Sequence, residues 1–110
     1  MCGIAGFTAK RLDTSGEILA AAIGSIVHRG PDQQGVHLSD SIRMGAVRLK
    51  ILDLEGGDQP VYGPDGDTVI CFNGEIYNYR EVRAELESLG HRFHSHSDTA
   101  VVLHAWIEWG

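Results

Sequence analysis

Apolar positions recur every three or four residues in three segments of the chain, which predicts three helices. The first helix is expected over residues 13–29, the second over residues 80–90, and the third from residue 97 or 98 to residue 110. Thr14 and Glu17 have the spacing of a capping box, and Gly90 is placed to end the second helix. The apolar residues of these helices are Leu19, Ile23, Ile26 and Val27, then Val82, Leu86 and Leu89, then Val101, Val102, Trp106 and Ile107.

Short apolar runs between these helices predict β-strands. Residues 2–7 form one run, residues 36–49 form two runs around a polar turn, and residues 68–72 form a fourth, in which Cys71 is expected to be buried. A further short strand is expected within residues 91–97, and the segment GPDG predicts a tight turn. Strands gathered in the middle of the chain, with helices at intervals, indicate an α+β domain.

Composition limits the class of protein. A chain of 110 residues that is 43% apolar and 22% charged has the size and balance of one globular domain. Nine basic and fifteen acidic residues give a formal charge of −6, which argues against nucleic acid or an anionic membrane as the main partner. No apolar stretch is long enough to cross a bilayer, no signal peptide is recognised, and two cysteines are too few for a disulfide framework. We therefore expect a cytoplasmic protein.

Cys2 stands directly behind the initiator methionine, and this position predicts a nucleophile. Removal of Met1 would leave a thiol and a free α-amine on the same residue, so the amine could act as the base for the thiol. Six histidines in the sequence leave a conventional Cys–His pair open. The alternative interpretation is that Cys2 is a small hydrophobic residue of the core.

Three further positions carry side chains that suit a catalytic site. Asn73 and Gly74 follow an apolar strand and can present an amide and a backbone N–H to an oxyanion, although an ordinary turn has the same sequence. Arg48 lies among apolar neighbours and requires a carboxylate from the protein or from a ligand. Asp98 can accept a hydrogen bond from an ammonium group or serve as a plain helix N-cap.

The histidines near the third helix raise the question of a metal site. His94 and His96 would share one face of the strand expected there. No cysteine or carboxylate cluster completes a ligand set at a familiar spacing, so no metal is expected.

Five segments together resemble the class II (N-terminal nucleophile) glutamine amidotransferases, most closely the glutaminase domain of glutamine-dependent asparagine synthetases. They are MCGIAGF, HRGPDQQG, RLKILDLEGGDQP, FNGEIYNY and SDTAVVLHAWIEWG, and they follow the family's order over nearly all 110 residues. The resemblance implies that Cys2 attacks the side-chain carboxamide of glutamine while its α-amine moves the proton. Asn73, through its side chain, and Gly74, through its N–H, would form the oxyanion hole.

The same resemblance implies how the substrate is held. Arg48 would bind the α-carboxylate of glutamine, and Asp98, together with Glu75, would bind the α-ammonium group. Ammonia would leave, and water would release glutamate from a γ-glutamyl thioester, without any cofactor. ATP and Mg²⁺ are expected only for an ATP-dependent synthetase domain or subunit that uses the ammonia to amidate aspartate.

The resemblance also implies the fold and the domain organisation. The family's glutaminase domain is a four-layer α/β/β/α sandwich nearly twice as long as this chain, so residues 1–110 are expected to be its N-terminal portion. The synthetase domain lies outside these residues, and a homodimer is one further partner that the family suggests. The alternative is a catalytically incompetent fragment or interaction module that retains the first half of the fold.

Overall fold

The computed structural model of the protein describes residues 2–8, 16–50 and 57–110. One strand and one helix are followed by four strands and then by two helices, and this segregated order agrees with the α+β prediction. The strands are β1 (Gly3–Thr8), β2 (Gln33–Leu38), β3 (Ile42–Arg48), β4 (Val61–Tyr62) and β5 (Val69–Ile70). The helices are α1 (Glu17–Ile26), which continues as a 3₁₀ turn over Val27–Arg29, α2 (Tyr79–Ser88) and α3 (Asp98–Trp109).

Strand β3 is the centre of an antiparallel sheet with the order β1-β3-β2. Its residues Ala46 and Val47 are only 1% and 0% exposed, as a central strand requires. In the antiparallel register Gly3 pairs with Val47, so the first residue of β1 lies beside the last residues of β3. Cys2 and Arg48 are thereby brought to the same end of the sheet.

Helix α1 covers one face of this sheet. Leu19 and Ile23 form a buried cluster with Val47, and Ile26 packs against it, so the predicted apolar stripe faces the core. Burial of each such aliphatic side chain contributes about 1.5–3 kcal/mol. Thr14, the expected capping residue, lies outside the described residues, and the residue before the first helical one is Gly16.

The opposite face of the sheet contacts the segment that leads into β4. Alternate residues of β2 make these contacts: His37 Nδ1 lies 3.1 Å from the Tyr62 hydroxyl, and Gly35 lies against Gln59. Strands β4 and β5 form an antiparallel ribbon, and the predicted turn between them is confirmed by a 3.2 Å bond from Gly66 N to Gly63 O. Helix α3 packs on this ribbon and α2 packs on α3.

Three expectations about local structure are wrong. Residues 91–97 form an irregular connection between α2 and α3 rather than a strand. Strand β5 ends at Ile70, so Cys71 follows the strand and is only half-buried; the next residue, Phe72, is held by a side chain instead of by a neighbouring strand. Leu89 lies beyond the last residue of α2 and is 51% exposed, so it does not join Leu86 in the core.

Among the described residues, no helix has the length and apolar character needed to span a membrane.

A buried histidine connects α3 to the loop before it. His104 is 9% exposed, its ring centroid lies 4.5 Å from that of Phe93, and its Nδ1 shares a 2.8 Å hydrogen bond with Nδ1 of His91. His91 Nε2 in turn lies 2.8 Å from Glu108 Oε2. Burial lowers the pKa of His104, and the positive charges that His91 and His94 can carry lower it further.

We expect His104 to make the protein less stable as the pH falls through the ordinary histidine range. The unfolded chain protonates this residue near pH ~6.5, whereas the folded chain resists protonation, so the unfolded state binds more protons below that pH. The urea concentration at the unfolding midpoint should therefore be lower at about pH 5.5 than at about pH 7.5. The midpoint of His104→Gln should decrease less over the same pH range. His28→Gln is the matched control because His28 is exposed. The same fall in wild type and His104→Gln would contradict this prediction.

Candidate active site

One cavity of about 400 Å³ lies at the end of the sheet where β1 begins and β3 ends. Its wall also includes the segment after β5 and the first turn of α3. Five of the six residues that the sequence singled out line it: Cys2, Arg48, Asn73, Gly74 and Asp98. Glu75, the sixth, is exposed and is not among the described residues that line the cavity.

The carbonyl group of Cys2 is fixed from two sides. Arg29 donates through Nε and Asn73 donates through Nδ2, each at 3.1 Å from this oxygen. The two donors come from the 3₁₀ turn after α1 and from the segment after β5, so they hold Cys2 against two separate parts of the fold. A carboxamide nitrogen has two N–H groups, and the second one of Asn73 remains for another acceptor.

Arg48 is a largely buried cation, one nitrogen of which has no hydrogen-bond partner among the described residues. Its side chain is 14% exposed, and Asp58 Oδ1, the nearest carboxylate oxygen among the described residues, lies 3.7 Å from Nη1, which is too far for a hydrogen bond. The same Asp58 oxygen lies 2.9 Å from Lys50 Nζ. Nη1 is buried and makes no hydrogen bond within the described part of the chain. An unsatisfied buried guanidinium nitrogen is costly, so this one is suited to receive an anionic ligand.

The segment HRGPD makes hydrogen bonds to both Cys2 and Arg48, a role that was not predicted from the sequence. Besides the bond from Arg29 to Cys2, the backbone N–H of Asp32 donates to the Arg48 carbonyl at 3.0 Å. The Asp32 carboxylate accepts the Lys50 N–H at 2.8 Å. These bonds explain why an irregular stretch between α1 and β2 keeps a defined place beside β3.

Asp98 is the first residue of α3 and is not its N-cap, so that alternative is wrong. Ser97 is the cap, and its hydroxyl accepts the Thr99 N–H at 3.1 Å. Asp98 Oδ2 instead accepts the Ile76 N–H at 3.0 Å, which ties α3 to the segment that follows Gly74. A carboxylate accepts several hydrogen bonds, so this one bond leaves Asp98 able to accept from a ligand.

His96 is the one histidine of the six that lines this cavity. The Cys–His alternative therefore narrows to Cys2 and His96. His94 lines a different cavity beside the β4–β5 turn, so the expected shared face of His94 and His96 is wrong. In residues 2–8, 16–50 and 57–110, no group of three His, Cys, Asp or Glu side chains could hold a metal ion.

The two cysteines differ in environment, although both are free thiols. Burial raises the pKa of the Cys71 thiol to about 11, so this residue stays protonated near neutral pH. A protonated thiol is a poor nucleophile. Cys2, which lines the cavity, is therefore the better candidate for covalent chemistry.

Gln59 and Tyr79 also line the cavity, and neither was predicted from the sequence. Gln59 belongs to RLKILDLEGGDQP, one of the five segments that carry the family resemblance. Periodicity, however, assigns no role to a glutamine in a loop. Tyr79 begins α2 directly after the segment NGEIYN.

The similarity of the sequence to known proteins identifies the family of this chain. The sequence profile of a family described as a glutamine amidotransferase domain matches residues 1–110. The chain belongs to the glutamine amidotransferase family. Its similar proteins include the glutamine-hydrolysing asparagine synthetase 3 of Bacillus subtilis, which is 40% identical over 114 residues that cover 99% of this chain and 18% of the relative.

Two further relatives of this amidotransferase chain carry the same kind of name. The glutamine-hydrolysing asparagine synthetase 1 of Bacillus subtilis is 42% identical over 107 residues, which cover 94% of this chain and 17% of the relative. The glutamine-hydrolysing asparagine synthetase 2 of Oryza sativa subsp. japonica is 43% identical over 83 residues, which cover 76% of this chain and 14% of the relative. The amidotransferase chain thus spans less than a fifth of the length of these relatives.

Proposed function

We propose that the chain hydrolyses glutamine to glutamate and ammonia and is the glutaminase part of a glutamine-dependent asparagine synthetase. The observation that carries this proposal is the cavity in which Cys2, a carboxylate and the Arg48 guanidinium meet, the last with a buried Nη1 that has no hydrogen-bond partner among the described residues. Glutamine is a zwitterion with a carboxamide at its other end, so it requires an anion-binding group, a cation-binding group and a nucleophile. Membership of the amidotransferase family supports the same activity.

The proposed reaction begins with the thiol of Cys2. After removal of Met1, the thiol passes its proton to the free α-amine, and the sulfur forms a bond to the side-chain carbonyl carbon of glutamine. The proton then moves to the amide nitrogen, the carbon–nitrogen bond breaks and ammonia leaves. Water attacks the resulting γ-glutamyl thioester, the carbon–sulfur bond breaks, and glutamate and the thiol are released.

Asn73 and Gly74 would stabilise the oxyanion that forms in each of these two attacks. The bond from Asn73 Nδ2 to the Cys2 carbonyl keeps its amide beside the nucleophile, and the second N–H of that amide is available to the oxyanion. The backbone N–H of Gly74 would be the second donor. One such donor typically contributes a factor of about 10²–10³ in rate.

Arg48 and Asp98 would hold the two charged ends of the substrate. The planar guanidinium of Arg48 suits a carboxylate, and its unpaired Nη1 would gain an acceptor on binding. Asp98 would accept from the α-ammonium group. Glu75 would assist from the same segment, because the Ile76 N–H ties this segment to Asp98.

The rest of the proposed enzyme lies outside these 110 residues. The packing order of α1, the three-stranded sheet, the β4–β5 ribbon and α3 supports the first part of a four-layer α/β/β/α sandwich. The glutaminase steps use only a thiol, an amine and water, so they need no cofactor. ATP and Mg²⁺ would act in the synthetase domain that receives the ammonia. The free thiols suit a reducing compartment such as the cytoplasm.

A glutamine analogue that carries a diazoketone in place of the carboxamide tests this proposal directly. We expect the reagent to alkylate Cys2 once per chain, because the cavity delivers its reactive carbon to this thiol, and excess glutamine to protect Cys2. Peptide mass spectrometry identifies the modified residue and the state of the N-terminus. Cys71 is the internal control because its protonated thiol should remain unmodified. A retained Met1 together with unlabelled Cys2 would favour the inactive interaction module.

A further inference from the structure

Two glutamine side chains connect β2 to the segment that carries Asn73 and Gly74. Gln33 in β2 donates through Nε2 to the Gln59 carbonyl at 3.0 Å and accepts the Gln59 N–H at 3.2 Å. Gln59 repeats this pattern on the next segment: its Nε2 donates to the Phe72 carbonyl at 2.8 Å, and its Oε1 accepts the Phe72 N–H at 2.6 Å. Each side-chain amide thus pairs with one residue's backbone as a neighbouring strand would.

This connection is buried and closely packed. Gln59 is 7% exposed, and the four bonds satisfy both its backbone and its side chain. A Cβ atom on Gly35 would lie 1.9 Å from the Gln59 carbonyl oxygen, so only glycine permits this approach of β2. Satisfied polar networks in a low-dielectric surrounding are rigid, because each broken bond would leave a buried group unpaired.

We propose that Gln59 is a positioning residue for the oxyanion hole, an inference that rests on the proposed function. Phe72 directly precedes Asn73 and Gly74, so the two bonds from Gln59 fix the peptide from which both donors extend. The Phe72 ring also limits Gly74, since a Cβ atom there would lie 3.0 Å from the Phe72 Cζ. Gln33 in turn links Gln59 to β2. Strand β2 belongs to the same sheet as β1, which begins directly after Cys2.

The residues proposed to hold the substrate are anchored by other contacts, so an effect on catalysis can be separated from an effect on substrate binding. Arg48 ends β3 and is braced by Asp32, and Asp98 is fixed as the first residue of α3, whose N-terminus is capped by Ser97. Loss of the Gln59 side-chain bonds should therefore displace the oxyanion donors while it leaves the charged ends of glutamine bound. A positioning role lowers kcat, whereas KM, which reports on uniform binding, changes little.

Gln59→Met tests the inference in the complete protein, because methionine has a similar length and no amide. We expect kcat for glutamate release to fall by about 10- to 100-fold, since small displacements of catalytic groups have effects of this order. KM for glutamine should stay within about threefold of the wild-type value. Gln59→Glu keeps the acceptor for the Phe72 N–H and loses the donor to the Phe72 carbonyl. Its kcat should therefore lie between those of wild type and Gln59→Met. Gln34→Met, at an exposed glutamine of β2, is the matched control and should retain wild-type kinetics.

A second measurement separates positioning from loss of fold. The aldehyde analogue of glutamine accepts the Cys2 thiol across its C=O bond, which forms a carbon–sulfur bond and places the former carbonyl oxygen in the oxyanion hole. Gln59→Met should weaken this inhibitor by about the same factor as kcat, while the affinity for glutamate is unchanged. Rates are expressed per Cys2 that reacts with the diazoketone analogue, so unfolded molecules are not counted.

The outcomes are distinguishable. The inference is overturned if Gln59→Met and Gln59→Glu keep the wild-type kcat per reactive Cys2, or if both lose only thermal stability. It is also overturned if KM rises as much as kcat falls. If the wild-type protein releases no glutamate, the proposed function fails first and the inference fails with it. A wild type that is active beside an equally active Gln59→Met refutes the inference alone.

Discussion

Cys2→Ala is expected to lower glutamate release from glutamine by more than about 10⁴-fold, because no other group can form the thioester. The thiol of Cys71 cannot take over, since burial raises its pKa to about 11. Steady-state assays of glutamate formation on the purified protein measure this effect. In a complete synthetase, the same variant should still use added ammonia, because the later steps do not involve this thiol.

The matched control for this prediction is the second cysteine of the chain. Cys71→Ser removes a half-buried thiol that lies outside the described lining of the cavity, so glutamate release should continue. Glutamine-dependent turnover that persists in Cys2→Ala would remove Cys2 from the mechanism. Loss of the ammonia-dependent reaction in Cys2→Ala would instead show that the substitution damages more than the glutaminase site.

Arg48→Met should raise KM for glutamine by roughly 10²–10³-fold and change kcat much less. The guanidinium would lose its contact with the substrate carboxylate in the ground state and the transition state alike, which is uniform binding. The unliganded protein should not lose stability, because the replaced group is a buried cation whose Nη1 makes no hydrogen bond among the described residues. Kinetics together with thermal unfolding measure both parts of this prediction.

Two further substitutions make the Arg48 experiment specific. Arg48→Lys keeps the charge but loses the planar fork, so its KM should lie between those of wild type and Arg48→Met. Lys50→Met removes a neighbouring cation that pairs with Asp58 and is not part of the described lining of the cavity, so it should behave as wild type. An unchanged KM in Arg48→Met would assign the substrate carboxylate to another group.

Periodicity was sufficient for most of the fold. The stripe of α1 and the alternation in β1 and β2 come from burial of one face, which the sequence displays directly. The stripe predicted for α3 is wrong in part, because Trp106 is 65% exposed while Leu103 and His104 are buried. The failures have a different origin. Residues 91–97 contain one apolar side chain, Phe93, and no described strand lies between α2 and α3 to pair with them. Cys71 lies outside β5 because a distant glutamine takes the backbone groups of the following residue.

The candidate site residues could likewise be predicted one by one from the local sequence, but the contacts between them could not. Cys2, Asn73 and Arg48 could be singled out because each is unusual in its own stretch of sequence. Their meeting depends on the antiparallel register that places the start of β1 beside the end of β3. The contacts of Arg29 with Cys2, and of Gln59 with Phe72, join residues that are far apart in the chain through side-chain-to-backbone bonds. Such bonds have no period, so no pattern along the chain predicts them.

The bond between the Asn73 amide and the Cys2 carbonyl has a mechanical consequence. In the proposed mechanism, the residue that attacks and the residue that stabilises the oxyanion are linked directly by this one hydrogen bond, and not only through the rest of the domain. This bond restrains the Asn73 side chain against Cys2, while the Gln59 side chain restrains the peptide that precedes Asn73, so the separation of the two residues depends on both attachments.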